Sequence, residues 1–123
     1  MRTLVAVAVL AVSSLAASAQ TNPRHTGKWW LEKSNTYRSA YINGYQSGWH
    51  RGLGKDTPLK PFGAQAVTDG LDKFYGDFKN RIILLDDAIT YVTDELTGTP
   101  KEKLEAELLG FRNKAAKLGT EEE

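Results

Sequence analysis

Cysteine is absent from all 123 residues. That excludes a disulfide framework, a thiolate metal site and a lipidated N-terminal cysteine. Stability must come from packing alone. Histidine is nearly absent as well, with only His25 and His50. Without paired imidazoles or thiolates there is no basis for zinc or copper chemistry, and no cofactor is expected.

Long apolar runs are also scarce. The one clear run, Leu4 to Leu15, is interrupted by Ser13 and Ser14, and it is too short for a membrane span. Arg2 precedes it and Ala17-Ser18-Ala19 follows it. This is the pattern of a signal peptide over residues 1–19, cleaved before Gln20. The expectation is a mature chain of residues 20–123, periplasmic or secreted, with no membrane attachment after cleavage. That length suits one domain with one core.

An excess of either charge is missing. The net charge is +1, and once Arg2 is removed fifteen basic and fifteen acidic residues remain. Residues 20–60 carry seven basic groups against Glu32 and Asp56, whereas residues 61–123 carry eight basic and thirteen acidic groups. Two halves of opposite sign neutralise one another on folding. A dipolar surface that steers a charged partner is the sharper reading. No basic stripe marks a nucleic-acid ligand.

Glycine is plentiful where a helix should carry little of it. In YINGYQSGWHRG, residues 41–52, Gly44, Gly48 and Gly52 fall four apart, beside Tyr37, Tyr41, Tyr45 and Trp49. On a helical wheel over residues 28–52 the rings and the glycines share one broad face, completed by Ala40, Trp30 and Ile42. Asn35, Ser39, Asn43, Gln46, Ser47 and His50 fall on the opposite side. Each interior glycine costs roughly 1 kcal/mol relative to alanine. The expected compensation is close approach of another helix backbone, with the flanking rings closing over the seam. Tyr37, Tyr41, Gly44, Tyr45, Gly48 and Trp49 are therefore the candidate packing or interaction residues. A groove lined by the rings, for a glycan or peptide, is the alternative.

Gly52-Leu53-Gly54 ends this helix, and KDTPLKPFG, residues 55–63, reads as an ordered loop. Ala64, Val67, Leu71, Phe74 and Phe78 follow helical spacing over residues 64–79, although Gly70 and Gly76 weaken that helix. Asp77, Asn80 and Arg81 form a polar cluster at its end, expected to brace the corner through a buried Asp–Arg pair or else to serve as a recognition patch. Ile82 to Leu85 is either a short buried connector or the lead-in to the next helix. Asp86 can cap that third helix, whose inward face is Leu85, Ala88, Ile89, Val92 and Leu96, closed by Gly98. Thr99-Pro100-Lys101-Glu102 predicts a capping box. A fourth helix then runs to about Leu118, with Leu104, Leu108, Phe111 and Ala115 inward, Lys101–Glu105 and Lys103–Glu107 pairs outward, and a frayed acidic tail from Gly119. The fold class is all-α: a compact bundle of about four helices.

No catalytic constellation stands out. Asp72 and Asp77 do not share a helical face, Asp86 and Asp87 serve the start of a helix, and no serine carries a nucleophile motif. The expected role is not enzymatic. A hydrolase with an aromatic groove and a carboxylate pair is the weakest of the readings.

The stretch RSAYINGYQSGW, in the first long helix of a short exported helical chain, resembles the Rap/Tai-type immunity proteins of type VI secretion systems. Arg38, Tyr41, Ile42, Gly44 and Gly48 carry the resemblance, over about twelve residues. Many members of that family have cysteines near this helix, and this chain has none. The segment LDKFYGDFKNRIILLDDAITYV is also similar to small exported bacterial proteins to which no activity is assigned. The first resemblance implies a periplasmic protein that binds and blocks a toxin, for example a cell-wall amidase, as a dimer. The function expected is thus a small exported binding protein, of immunity type, with a protein partner. The alternative is an exported structural protein that self-associates through its first long helix.

Overall fold

The computed structural model describes residues 25–54 and 62–121, with the backbone alone for residues 120–121. The expected signal peptide, most of the KDTPLKPFG loop and the last two residues lie outside the described residues. Among the described residues five α-helices follow in order: α1 Gly27–Leu31, α2 Asn35–Leu53, α3 Ala64–Gly76, α4 Leu85–Leu96 and α5 Lys101–Glu121. A 3-10 turn, Phe78–Asn80, separates α3 from α4. The architecture is an all-α bundle. No helix among the described residues is long and apolar enough to cross a membrane.

α3 is the central element. It packs against α2 on one side and α4 on the other, and α1 also leans on it. Its burial explains its strong amphipathic pattern: Val67, Thr68, Leu71, Phe74 and Tyr75 are all buried, and burial of one apolar stripe is what holds a short helix in water. α4 contributes Leu85, Ala88, Ile89 and Val92 to the same core. α5 closes the bundle with Leu104 and Ala115 buried and with Leu108 and Phe111 packed on the core margin.

The first helix differs from the expected single segment. It breaks at residues 32–34, where Ser34 starts α2 anew and its hydroxyl accepts from the Tyr37 N–H at 3.2 Å. That is an N-cap, which satisfies one of the donors a helix start leaves open. α2 ends where expected, with Gly54 at φ 68° and its N–H on the His50 carbonyl at 2.8 Å. A side chain is strained in that conformation.

The start of α4 also differs. Asp86 is not its cap. Leu84 holds the N-cap position, and Asp86 and Asp87 lie in the first turn, where their charge suits the helix dipole. The Leu85 N–H is bonded by the His25 carbonyl at 2.8 Å, beside an antiparallel bridge between Thr26 and Leu84. The segment entering α1 therefore closes the open end of α4. In the connector, Ile83 and Leu85 are buried, but Ile82 is exposed. α5 starts one residue later than expected, with the Pro100 carbonyl accepting from Lys103 and Leu104. It then runs through Gly119 to Glu121.

Close backbone packing through glycine does occur, but at other positions. A Cβ on Gly70 would lie 2.6 Å from the Val92 Cγ1, so α3 and α4 approach through that glycine. A Cβ on Gly27 would run into the Tyr75 ring and lie 2.9 Å from the Arg81 Cα. At Gly44, Gly48 and Gly52 a Cβ would meet nothing within 4 Å among the described residues. Among the described residues the glycine ladder of α2 is thus not a seam, and the close packing expected at Gly44 and Gly48 is not found there.

Substitution by alanine separates the two classes. Gly44→Ala and Gly48→Ala should each raise the unfolding free energy by about 0.5–1 kcal/mol, the helix-propensity gain. Gly70→Ala should lower it by about 1–3 kcal/mol through overpacking against Val92. Urea unfolding of the three variants measures both signs, and destabilisation at Gly48 would restore the buried seam.

Candidate functional site

The rotation of α2 follows from one side chain. Arg38, in the first turns of α2, folds back over α1. Its Nε donates to the Trp30 carbonyl at 3.0 Å and its Nη2 to the Leu31 carbonyl at 2.9 Å. Its Nη1 reaches the Asp72 carboxylate of α3, also at 3.0 Å. The same carboxylate oxygen accepts from the Trp30 indole N–H at 2.8 Å. The guanidinium therefore bonds two carbonyls at the end of α1, those of Leu31 and of Trp30, the latter also accepting from the Lys33 N–H at 3.1 Å. It ties three helices at one point. Lysine could not do this, because the bonds need the fixed fork of a guanidinium.

With Arg38 turned inward, the line Arg38, Ile42, Tyr45 and Trp49 faces the bundle. Ile42 is fully buried, while Tyr45 and Trp49 are half-buried and pack 6.1 Å apart. Ser39 and Gln46, expected on the solvent side, turn partly inward. The Ser39 hydroxyl pairs with Gln65 of α3 at 3.2 Å. Gly44, Gly48 and Ala40 are consequently carried to the outer surface. Burial, with Asp86 nearby, raises the Tyr41 and Tyr45 hydroxyls above their ordinary values.

Along one flank of the exposed strip lies an aromatic assembly. His25 stacks on Trp29 at 3.8 Å. Tyr41 and Tyr37 meet Trp29 edge-on, at 5.4 and 6.0 Å, and Tyr41 also stands edge-on to Trp30. Edge-to-face pairs of this kind are favourable. Tyr37 is the most open of these rings, with 49% of its surface exposed. Nearer the end of α2, the Trp49 Nε1 and Gln46 Nε2 are buried with no hydrogen-bond partner among the described residues. The structure thus places Tyr37, Tyr41, Gly44, Tyr45, Gly48 and Trp49 on one helix but divides them. Tyr45 and Trp49 line the seam, Gly44 and Gly48 are open, and Tyr37 and Tyr41 form the rim between.

The polar corner after α3 is built differently from its expectation. Asp77 caps the 3-10 turn by accepting from the Lys79 N–H at 3.0 Å. Asn80 is buried, and its amide donates to the Phe74 carbonyl at 2.8 Å. Arg81 donates to the Tyr75 carbonyl at 3.2 Å. The arginine that pairs with Asp77 is not Arg81 but Arg112 of α5, at 3.2 Å, which also donates to the Asn80 side-chain oxygen at 2.9 Å. That pair is part-exposed rather than buried. Tyr75 stands fully buried beside this corner, donating to the Ile83 carbonyl at 3.0 Å, and burial raises its hydroxyl far above its ordinary value. A groove of about 150 Å³ opens next to it, lined by Gly70, Lys73, Phe74, Asp77, Tyr91 and Glu95 among others. It is small for a drug-sized ligand.

Between α4 and α5 the Glu107 carboxyl meets Asp94 rather than Lys103. Burial, followed by the hydrogen bond with Asp94 and that residue's charge, pushes it up to about 7. No set of three His, Asp or Glu side chains among the described residues is arranged to hold a metal ion. Comparison of the chain with known protein families, with curated proteins and with solved structures gives no match.

The raised Glu107 value predicts a pH-dependent contribution to the docking of α5. Its value in the fold lies above its ordinary 4.5, so the fold favours the protonated form. The contribution is complete below about pH 4.5 and is lost as pH rises to about 7. Wild type should therefore lose stability relative to Glu107→Gln across that range, read as the difference between their urea midpoints. Parallel profiles would remove the shared proton from the account.

Proposed function

We propose that this chain is a small exported binding protein that docks a protein partner on the open face of α2. The observation that carries this reading is the bare state of Gly44, Gly48 and Gly52, where a Cβ would meet nothing within 4 Å among the described residues. Three glycines in a 19-residue helix lose roughly 1 kcal/mol each relative to alanine. Among the described residues no contact at these glycines offsets that loss. A second backbone laid along the strip would do so, because the missing side chains allow close approach.

The surrounding chemistry suits a protein–protein contact. Tyr37 and Tyr41 border the strip as rigid rings with polar tips, the residue type favoured at interface centres. Leu53 adds an exposed apolar side chain at the end of the helix, 58% open. The partner we propose is a toxin of the kind that immunity-type inhibitors block, met in the periplasm. Support for that class is the short RSAYINGYQSGW likeness, in which Gly44 and Gly48 belong to the open strip and Arg38 and Ile42 to the scaffold beneath it. On this reading the protein acts by covering its partner and carries no catalytic step. Self-association through the same strip is the competing reading.

Gly48→Leu decides between them. The residue is open, so the variant should keep its fold and raise its melting temperature slightly. Immobilised wild type should retain one exported protein from periplasmic extract, and Gly48→Leu should lose it. A dimer in sedimentation that Gly48→Leu dissolves, without any captured protein, favours self-association. Retention of the same captured protein by Gly48→Leu contradicts the docking face.

A further inference from the structure

The link between α1 and α2 holds a cation in an aromatic corner. Trp29 and Tyr37 stand at 73° to one another with centroids 6.0 Å apart. The Lys33 ammonium lies 5.1 Å from the Trp29 ring centroid and 5.4 Å from that of Tyr37. Two rings close to perpendicular present two electron-rich faces to one point, which is how proteins hold organic ammonium groups. The corner is preorganised. Trp29 is fixed by the stacked His25 at 3.8 Å and by Tyr41 edge-on at 5.4 Å.

Among the described residues, no carboxylate pairs with the Lys33 ammonium. Among those residues the two rings hold it, on a long side chain in a three-residue link, so it can leave without breaking an ion pair there. We propose that the corner between Trp29 and Tyr37 is a receptor for an alkylammonium group from outside the molecule, with Lys33 occupying it as an internal stand-in. An external ammonium then binds by exchange: Lys33 swings into water and the incoming cation takes its place against both rings. The corner adjoins the open strip of α2 through Tyr37. The inference therefore deepens the reading of that face as a docking surface, and rests on it only for where the ammonium comes from. A lysine side chain of a partner and a quaternary ammonium headgroup share the required chemistry.

The full chain is titrated with methylammonium chloride and with tetramethylammonium chloride at constant ionic strength, with tert-butanol as the neutral control. The Trp29 indole NMR signals report occupancy. Saturable shifts with either cation are expected, and Lys33→Ala should tighten binding by about fivefold, since exchange with the internal ammonium no longer opposes it. Tyr37→Leu in the Lys33→Ala background should reverse that gain. Tyr37 is half-exposed, so the variant is expected to fold. The ranking of the two cations identifies the source: methylammonium for a lysine, tetramethylammonium for a quaternary headgroup. Unchanged affinity in Lys33→Ala, or shifts by tert-butanol equal to those by the cations, overturns the proposal. Neither result alters the Gly48→Leu capture experiment, so the two readings fail separately.

Discussion

The guanidinium of Arg38 is the point on which the arrangement depends. Trp30 and Leu31 end α1, and Arg38 donates to the carbonyls of both, adding to the Lys33 N–H that the Trp30 carbonyl also accepts at 3.1 Å. Its remaining arm meets Asp72, which also takes the Trp30 indole N–H. The node is largely withdrawn from water, with the Arg38 side chain 16% exposed and that of Asp72 33%. Charge-assisted bonds in such a site are stronger than surface pairs. They also have a direction, and that direction fixes the break at residues 32–34, the lean of α1 on α3 and the roll of α2 about its own axis.

The roll decides which residues of α2 do what. Turning Arg38 inward brings Ile42 into the core and carries the glycine strip outward. The tight helix contacts are made by Gly70 against Val92 and by Gly27 against Tyr75. Both are set by what stands opposite: a branched side chain in one case, an aromatic ring and a backbone in the other. The uncovered strip is therefore a consequence of the same node that stabilises the fold. On the proposed reading of this face as a docking surface, the lower stability of the helix is compensated when a partner covers the strip.

Much of the bundle was legible in the sequence. The inward faces of α3, α4 and α5 follow plainly from Val67, Leu71 and Phe74, from Ala88, Ile89 and Val92, and from Leu104 and Ala115, because aliphatic side chains have only one stable place. α2 was misread for the opposite reason. Its rings are amphipathic, so tyrosine and tryptophan mark either a core or a rim, and the wheel could not say which edge turned inward. The wheel gave Arg38 no place on either face, because an arginine's burial depends on distant partners. Gly70 read as a weakness of its helix, although it is where that helix is most closely packed. The pairing of Asp77 with Arg112, 35 residues away, left no local signal, so the nearer Arg81 took its place in the expectation. Ser34, three residues before Tyr37, did carry the signal of a helix start, hidden inside a longer period that ran through it.

The most direct measurement of the central claim is a double-mutant cycle on Arg38→Ala and Asp72→Ala, read by urea unfolding. If the node ties α2 to α3 as described, the two substitutions should be coupled by about 1 kcal/mol or more. Effects that simply add, within about 0.3–0.5 kcal/mol, would mean that the pair does not orient α2. The outward roll of its glycines would then have lost its cause.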